Sequence, residues 1–122
     1  MKKEETVRYL ANIYCVVTSD GTVDRAEERV LEEISRDIRA GYFERKQALK
    51  MANNERLPAQ LAVRWSDQIR NLEDMLFAAY CNGVLEPAEK EVIVNYANRL
   101  DISQKQLNGI KEEAKRRYEE FS

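Results

Sequence analysis

Two ten-residue stretches decide the fold: "TSDGTVDRAE" at 18–27 and "YCNGVLEPAE" at 80–89. Each follows an apolar run, and each carries an Asp-Gly or Asn-Gly pair and an aliphatic residue directly before the first of two acids three positions apart. Asp-Gly and Asn-Gly supply the left-handed backbone that ends a helix sharply. Asp24 and Glu27 have the spacing of a capping box, in which the cap side chain and the third helical carboxylate satisfy each other's backbone donors. Glu86 and Glu89 repeat that spacing, and Pro87 suits a first helical position, where its missing N–H costs nothing. Asp24 and Glu86 also sit beside the positive end of the helix they start. Val23 and Leu85 tuck each loop onto a core, so both stretches read as junctions between helices.

Working outward, the helical stripes follow. Residues 6–19 carry Val7, Leu10, Ala11, Tyr14 and Val17 on one side, widened by Ile13, Cys15 and Val16 until the helix is apolar almost all round, as a central helix is. After the first junction the stripe is Val30, Leu31, Ile34 and Ile38, with Gly41 as the expected stop. A helix over 43–53 follows. After Pro58, Leu61, Trp65, Ile69, Leu72, Leu76 and Ala79 keep helical spacing up to Asn82, as one helix or as two broken near Ser66, with Trp65 as a core anchor. Val92, Ile93, Tyr96, Ala97 and Leu100 come after the second junction. Ser103 with Gln106 then caps a last helix whose inner face is Leu107, Ile110, Ala114, Tyr118 and Phe121.

A shift of 62 residues lays the junctions on each other: Gly21 on Gly83, Val23 on Leu85, Asp24 on Glu86, Ala26 on Ala88 and Glu27 on Glu89. The stripes beyond them match too, Val30 with Val92, Leu31 with Ile93, Ile34 with Tyr96 and Ile38 with Leu100. That spacing is too long for a solenoid. The expectation is an all-α, compact single-domain bundle of about six or seven helices over 1–122, built as two helix-loop-helix repeats, at about 6–38 and 68–100, around a shared core.

Composition agrees. Lys, Glu, Arg, Ala and Leu dominate, and the 4 glycines and 2 prolines are few, a balance that favours helix. The net charge of −2 draws the chain to no polyanion. Its distribution is uneven: 39–70 carries seven bases (Arg39, Arg45, Lys46, Lys50, Arg56, Arg64, Arg70) against three acids, while the segments on either side are acidic. Cys15 and Cys81 lie in apolar runs, read as buried free thiols of a cytoplasmic protein. The longest apolar run, Met75 to Cys81, is far short of a membrane span. The chain has no histidine, which removes Ser-His-Asp and Cys-His pairs and the usual zinc and iron ligand sets.

Can the junctions bind metal? Gly21 and Glu27 have the spacing of positions 6 and 12 of an EF-hand, with Asp20 at position 5, but positions 1 and 3 would be Val16 and Thr18. In the second loop they would be Ala78 and Tyr80. An EF-hand is excluded. What remains is a composite site of Asp20, Asp24, Glu27 and Glu28 in the first loop and Glu86 and Glu89 in the second, whose oxygen donors suit a weakly held Ca, Mg or Mn ion.

The segments "VVTSDGTVDRAEERVLEEI" and "LFAAYCNGVLEPAEKEVIVNYANRLDIS" resemble the TerB-like family of tellurite-resistance proteins, which includes the N-terminal part of certain DnaJ-like co-chaperones. The resemblance implies an all-helical, non-catalytic module of bacterial stress responses that works through an unknown protein partner, often at the membrane surface. It also implies a metal-binding acidic patch at Asp20, Asp24, Glu27, Glu86 and Glu89. Asn82 departs from the aspartate the pattern expects, so a symmetric pair of metal sites is not implied. The alternative is a nucleic-acid-binding helix-turn-helix over "VNYANRLDISQKQLNGIKEEAKRR", with Lys105, Gln106, Asn108 and Lys111 toward a groove and Arg116 and Arg117 near phosphates. Four acids within 111–120 cancel its four bases, so no nucleic acid is expected. A hydrolase using Glu27 with Glu89 would need environments that split their pKa values, and both read as solvated loop residues. No enzyme is expected.

Overall fold

The computed structural model describes residues 1–19, 23–55, 61–62, 64–82 and 85–121. Six helices account for most of them: α1 (Lys3–Val17), α2 (Arg25–Asp37), α3 (Tyr42–Glu55), α4 (Trp65–Ala79), α5 (Pro87–Asn98) and α6 (Gln104–Phe121), with one 3-10 turn at Tyr80–Asn82. The protein is all-helical, with no strand among the described residues.

α1 and α4 are the central pair. The run from Val7 to Val17 and the run from Leu72 to Ala79 are buried almost without interruption, as helices apolar on every side must be. They pack on each other; α3 and α5 also lie against α1, and α2, α5 and α6 against α4. The outer helices contribute one stripe each: Val30, Leu31 and Ile34 from α2, Val92, Ile93, Tyr96 and Ala97 from α5, and Ala114 from α6. All join one apolar cluster, with Val23 and Leu85 packed against it from the junctions.

The last three helices follow the first three at one spacing. α1 begins at 3 and ends at 17, and α4 begins at 65 and ends at 79; α2 and α5 begin at 25 and 87, and α3 and α6 at 42 and 104. The offset that superposes the junction sequences therefore reaches the third helix of each half. Contacts follow the same correspondence, α1 on α3 matching α4 on α6, and α1 on α5 matching α2 on α4. The basic segment 39–70 is thus more than a connector. It contains α3, which buries Ala48 and Ala52; Ala52 stands 62 residues before the buried Ala114.

Two expectations are corrected. α2 stops at Asp37, before Gly41, and the residue with left-handed backbone is Arg39, at φ 57°. The Ala40 N–H donates to the Ser35 carbonyl at 2.8 Å and the Arg39 N–H to the Arg36 carbonyl at 3.2 Å. That pair is a Schellman motif, which satisfies the last carbonyls whatever residue sits at its left-handed position. Trp65 is no core anchor: α4 begins at Trp65 itself, with Leu61 outside the helix, and the indole is 50% exposed.

Candidate functional site

The sequence nominated six carboxylates, of which Glu28 is exposed on the first turn of α2. Asp20 lies outside the described residues, as do Gly21 and Gly83. The other four occupy paired positions. Asp24 is the exposed N-cap of α2, its Oδ1 accepting the Glu27 N–H at 2.8 Å while its own N–H donates to Glu27 Oε1 at 3.0 Å. Glu86 is the exposed N-cap of α5, its N–H donating to Glu89 Oε1 at 3.1 Å. These are the capping boxes that the acid spacing predicts. The burial of the third-position acids differs from expectation, because Glu27 and Glu89 are 1% and 0% exposed. The capping geometry turns each carboxylate back over the first helical turn, and the tucked Val23 and Leu85 bring the junction down onto the core.

The junctions also meet. Cys81, on the 3-10 turn, lies with its Sγ 3.8 Å from the Ala26 carbonyl of α2. Its thiol is pushed up to about 12, first by burial and then by the charges of Glu27, Asp24 and Glu89. Carboxylates from both halves therefore act on one buried sulfur. Such a thiol stays protonated and unreactive at neutral pH. The Tyr118 hydroxyl donates to the Cys81 carbonyl at 2.9 Å, tying α6 over the junction. Asp24 and Glu86 are the exposed members of the two capping boxes that bury Glu27 and Glu89.

Do these residues fit a metal ion? Among the described residues no group of three or more Asp, Glu, Cys or His is arranged to hold one. Glu27 and Glu89 each spend Oε1 on the cap of their own helix. The described part of the patch is not a coordination cage.

A second polar constellation, which the sequence reading missed, runs through the α1–α4 contact. The Tyr9 hydroxyl donates to Asp74 Oδ2, Asn12 Nδ2 donates to Asn71 Oδ1 at 2.7 Å, and Asn71 Nδ2 donates to the Tyr9 carbonyl at 3.1 Å. All four residues are buried. The shift of 62 lays Tyr9 on Asn71 and Asn12 on Asp74, so the two side-chain pairs exchange under the offset that relates the halves. That coincidence of polar residues inside apolar runs is the signal that could have found them. From α6, Arg117 Nη1 reaches Asp74 Oδ1 at 2.7 Å and Glu73 at 3.5 Å; its Nη2 lies 3.7 Å from Asp37 of α2. The guanidinium also stacks 4.5 Å from the Phe77 ring centre. Burial pushes the Asp74 carboxyl up from its ordinary range, opposed by the Tyr9 hydroxyl and by Arg117. Burial, then Asp74, raises the Tyr9 hydroxyl.

This seam bears on the helix-turn-helix alternative. Arg117, assigned there to a phosphate, is turned inward onto Asp74, and Arg116 is paired with Glu113. Lys105, Gln106 and Asn108 are exposed on α6, but Gln106 closes the Ser103 cap, its Oε1 accepting the Ser103 N–H at 2.7 Å. A cleft of about 420 Å³ opens beside the first junction, between Cys15, Thr18, Val23, Leu49 and Val92. The Thr18 hydroxyl in it already donates to the Tyr14 carbonyl at 2.6 Å. No helix among the described residues is long and apolar enough to cross a membrane.

Comparison with models of known protein families, with curated proteins and with solved structures finds no match for this chain.

Proposed function

We propose that the protein is a non-catalytic interaction module of the TerB-like type, in which the two acidic junctions together form one electronegative surface for a cationic partner. The observation that carries this reading is the contact between the junctions, Cys81 Sγ lying 3.8 Å from the Ala26 carbonyl, with the charges of Glu27, Asp24 and Glu89 raising that thiol in a chain whose net charge is only −2. A field concentrated in this way raises the local concentration of cations and steers basic groups. The all-helical architecture and the 62-residue correspondence of the helices support the two-repeat arrangement that the resemblance implies. Capping roles for Glu27 and Glu89 favour binding over catalysis, since each carboxylate already serves its helix. A Ca, Mg or Mn ion at this surface is a weakly held, largely hydrated counter-ion, with Asp24 and Glu86 exposed to it. A stress-response role in a bacterial cytoplasm belongs to the same reading, as does a partner that lies at the membrane surface.

The test removes charge without removing the caps. Asparagine caps a helix about as well as aspartate, so Asp24→Asn with Glu86→Gln leaves both helix starts intact. Retention of a lysine-rich peptide by the immobilised protein should drop several-fold in the double variant and drop equally in high salt. Unchanged retention in a folded double variant would sink the reading.

A further inference from the structure

The groove between the first and third helix is lined differently in the two halves. In the second half this groove lies between α4 and α6 and holds about 350 Å³, with Trp65, Ile69, Ile102 and Ile110 as its apolar lining and Gly109 on its α6 side. A Cβ added to Gly109 would meet nothing within 4 Å, so no packing among the described residues requires glycine there. An interior helical glycine costs roughly 0.5–1 kcal/mol relative to alanine. What it leaves is room for an incoming side chain.

In the first half the corresponding groove is roomier, at about 590 Å³, and an aromatic pair stands at its edge. The α1–α3 groove is lined by Val7, Phe43, Gln47 and Met51, with Gln47 standing where the second half has Gly109 and Phe43 where it has Lys105. Tyr42 and Phe43 project from the first turn of α3, 69% and 78% exposed, edge to face at 5.6 Å between ring centres. One half thus presents an aromatic ridge and the other an apolar socket. Charge matches shape. Arg39, Arg45, Lys46 and Lys50 share residues 39–50 with one acid, Glu44, and Lys3 and Arg8 line the groove beside Phe43 with Glu4, while the socket is lined by Glu73 and Glu113 and, among the described residues, by no lysine or arginine. Those two acids already pair with Arg117 and Arg116, and a carboxylate has lone pairs for a second cation.

We infer that the occupant of this socket is a second copy of the chain, its Tyr42–Phe43 ridge seated against Trp65 and Gly109 in a head-to-tail contact. Ridge and socket are different surfaces, so the contact is heterologous and propagates to a ring or a filament unless one end is blocked. Two aromatic side chains bury only a few hundred Å², less than a stable dimer needs, so the association is weak and reversible. It is independent of the acidic junctions and stands or falls apart from them.

Sedimentation velocity on the full chain from about 10 μM to about 1 mM spans the affinity range of such a contact. Trp65, the one tryptophan in the sequence, reports socket occupancy by its emission. The expected result is a mass that rises with concentration together with a blue shift of that emission. Phe43→Asp removes the ridge at an exposed site, and Gly109→Leu fills the socket where a Cβ has space; circular dichroism checks that each variant folds. Each variant alone should associate at least about tenfold more weakly. An equimolar mixture of the two should recover a 1:1 heterodimer that grows no further, since one supplies an intact socket and the other an intact ridge. A wild-type chain monomeric throughout the range overturns the inference and leaves the socket to a segment of another protein. Association broken by Phe43→Asp but untouched by Gly109→Leu overturns it in favour of ridge-to-ridge packing. A mixture of folded variants that stays monomeric while the wild type associates overturns it as well.

Discussion

Removing the Arg117 guanidinium while keeping its bulk tests the polar seam. Asp74 is buried, and Arg117 at 2.7 Å is its cationic partner. Arg117→Met preserves an apolar chain over the Phe77 ring, where a thioether packs well, so the change isolates the charge. Breaking one side of a buried ion pair costs about 3–5 kcal/mol, because the remaining charge stays desolvated. Arg117 is 29% exposed along its side chain, and the Tyr9 hydroxyl still donates to Asp74, so the lower end, about 3 kcal/mol, is expected. With a urea m-value of about 1.5 kcal/mol/M the midpoint falls by about 2 M. The pH dependence gives a second, sharper signature. The Asp74 pKa is raised in the folded state, so its charged form is the one that folding penalises. That penalty is absent below the unfolded-state pKa and grows as pH rises through the folded value. Losing Arg117 raises the folded value further. The gap between variant and wild type must therefore narrow as pH is lowered through the folded values toward the unfolded one. Urea titrations followed by circular dichroism at several pH values measure both. A loss below about 1 kcal/mol at pH 7, or one that does not change with pH, would refute the claim that Arg117 compensates a buried charge.

Other outcomes follow from the same interior. Alkaline pH should unfold the protein early: Cys81 and Tyr96 are each pushed up to about 12 and Tyr9 is raised as well. The unfolded chain releases those protons first, so stability should fall by about 3–5 kcal/mol between pH 9 and 11, measurable as a dropping thermal midpoint. Asn71→Leu removes the acceptor for Asn12 and should cost about 2 kcal/mol, whereas the Asn12→Leu, Asn71→Leu double variant should recover part of that loss; a double variant as unstable as the sum of the singles would contradict the pairing. Arg39→Gly relieves a left-handed residue at φ 57° and should raise stability by about 1 kcal/mol, seen as a higher urea midpoint.

How much of this was legible in the sequence depends on which force decided each part. The helices announced themselves because their stripes, caps and turns agree locally: Asp24–Glu27 and Ser103–Gln106 form the caps their spacing predicts. Where tertiary context ruled, the reading slipped. Trp65 shares the periodicity of a core residue, yet it opens α4 on the rim of a groove, which period alone does not distinguish from the centre. Gly41 looked like a helix stop, but a Schellman motif needs hydrogen bonds more than it needs glycine, and Arg39 accepted the left-handed position. Glu27 and Glu89 were read as solvated because they flank loops; their burial arises from the tucked Val23 and Leu85, a three-dimensional effect. The α1–α4 seam lies within reach of the 62-residue shift, since Tyr9 falls on Asn71 and Asn12 on Asp74, but single polar residues inside apolar runs leave the helical stripe unchanged and so carry no signal in the periodicity.

The central claim is that both junctions contribute to one electronegative surface. Amide NMR spectra of the protein with substoichiometric Mn²⁺ test it most directly, because a paramagnetic ion broadens the amides near which it dwells. The account predicts broadening at residues 18–28 and 80–91 together, weakening as salt is added. Broadening at the exposed acids of α6 instead, at one junction without the other, or uniformly along the chain would contradict it.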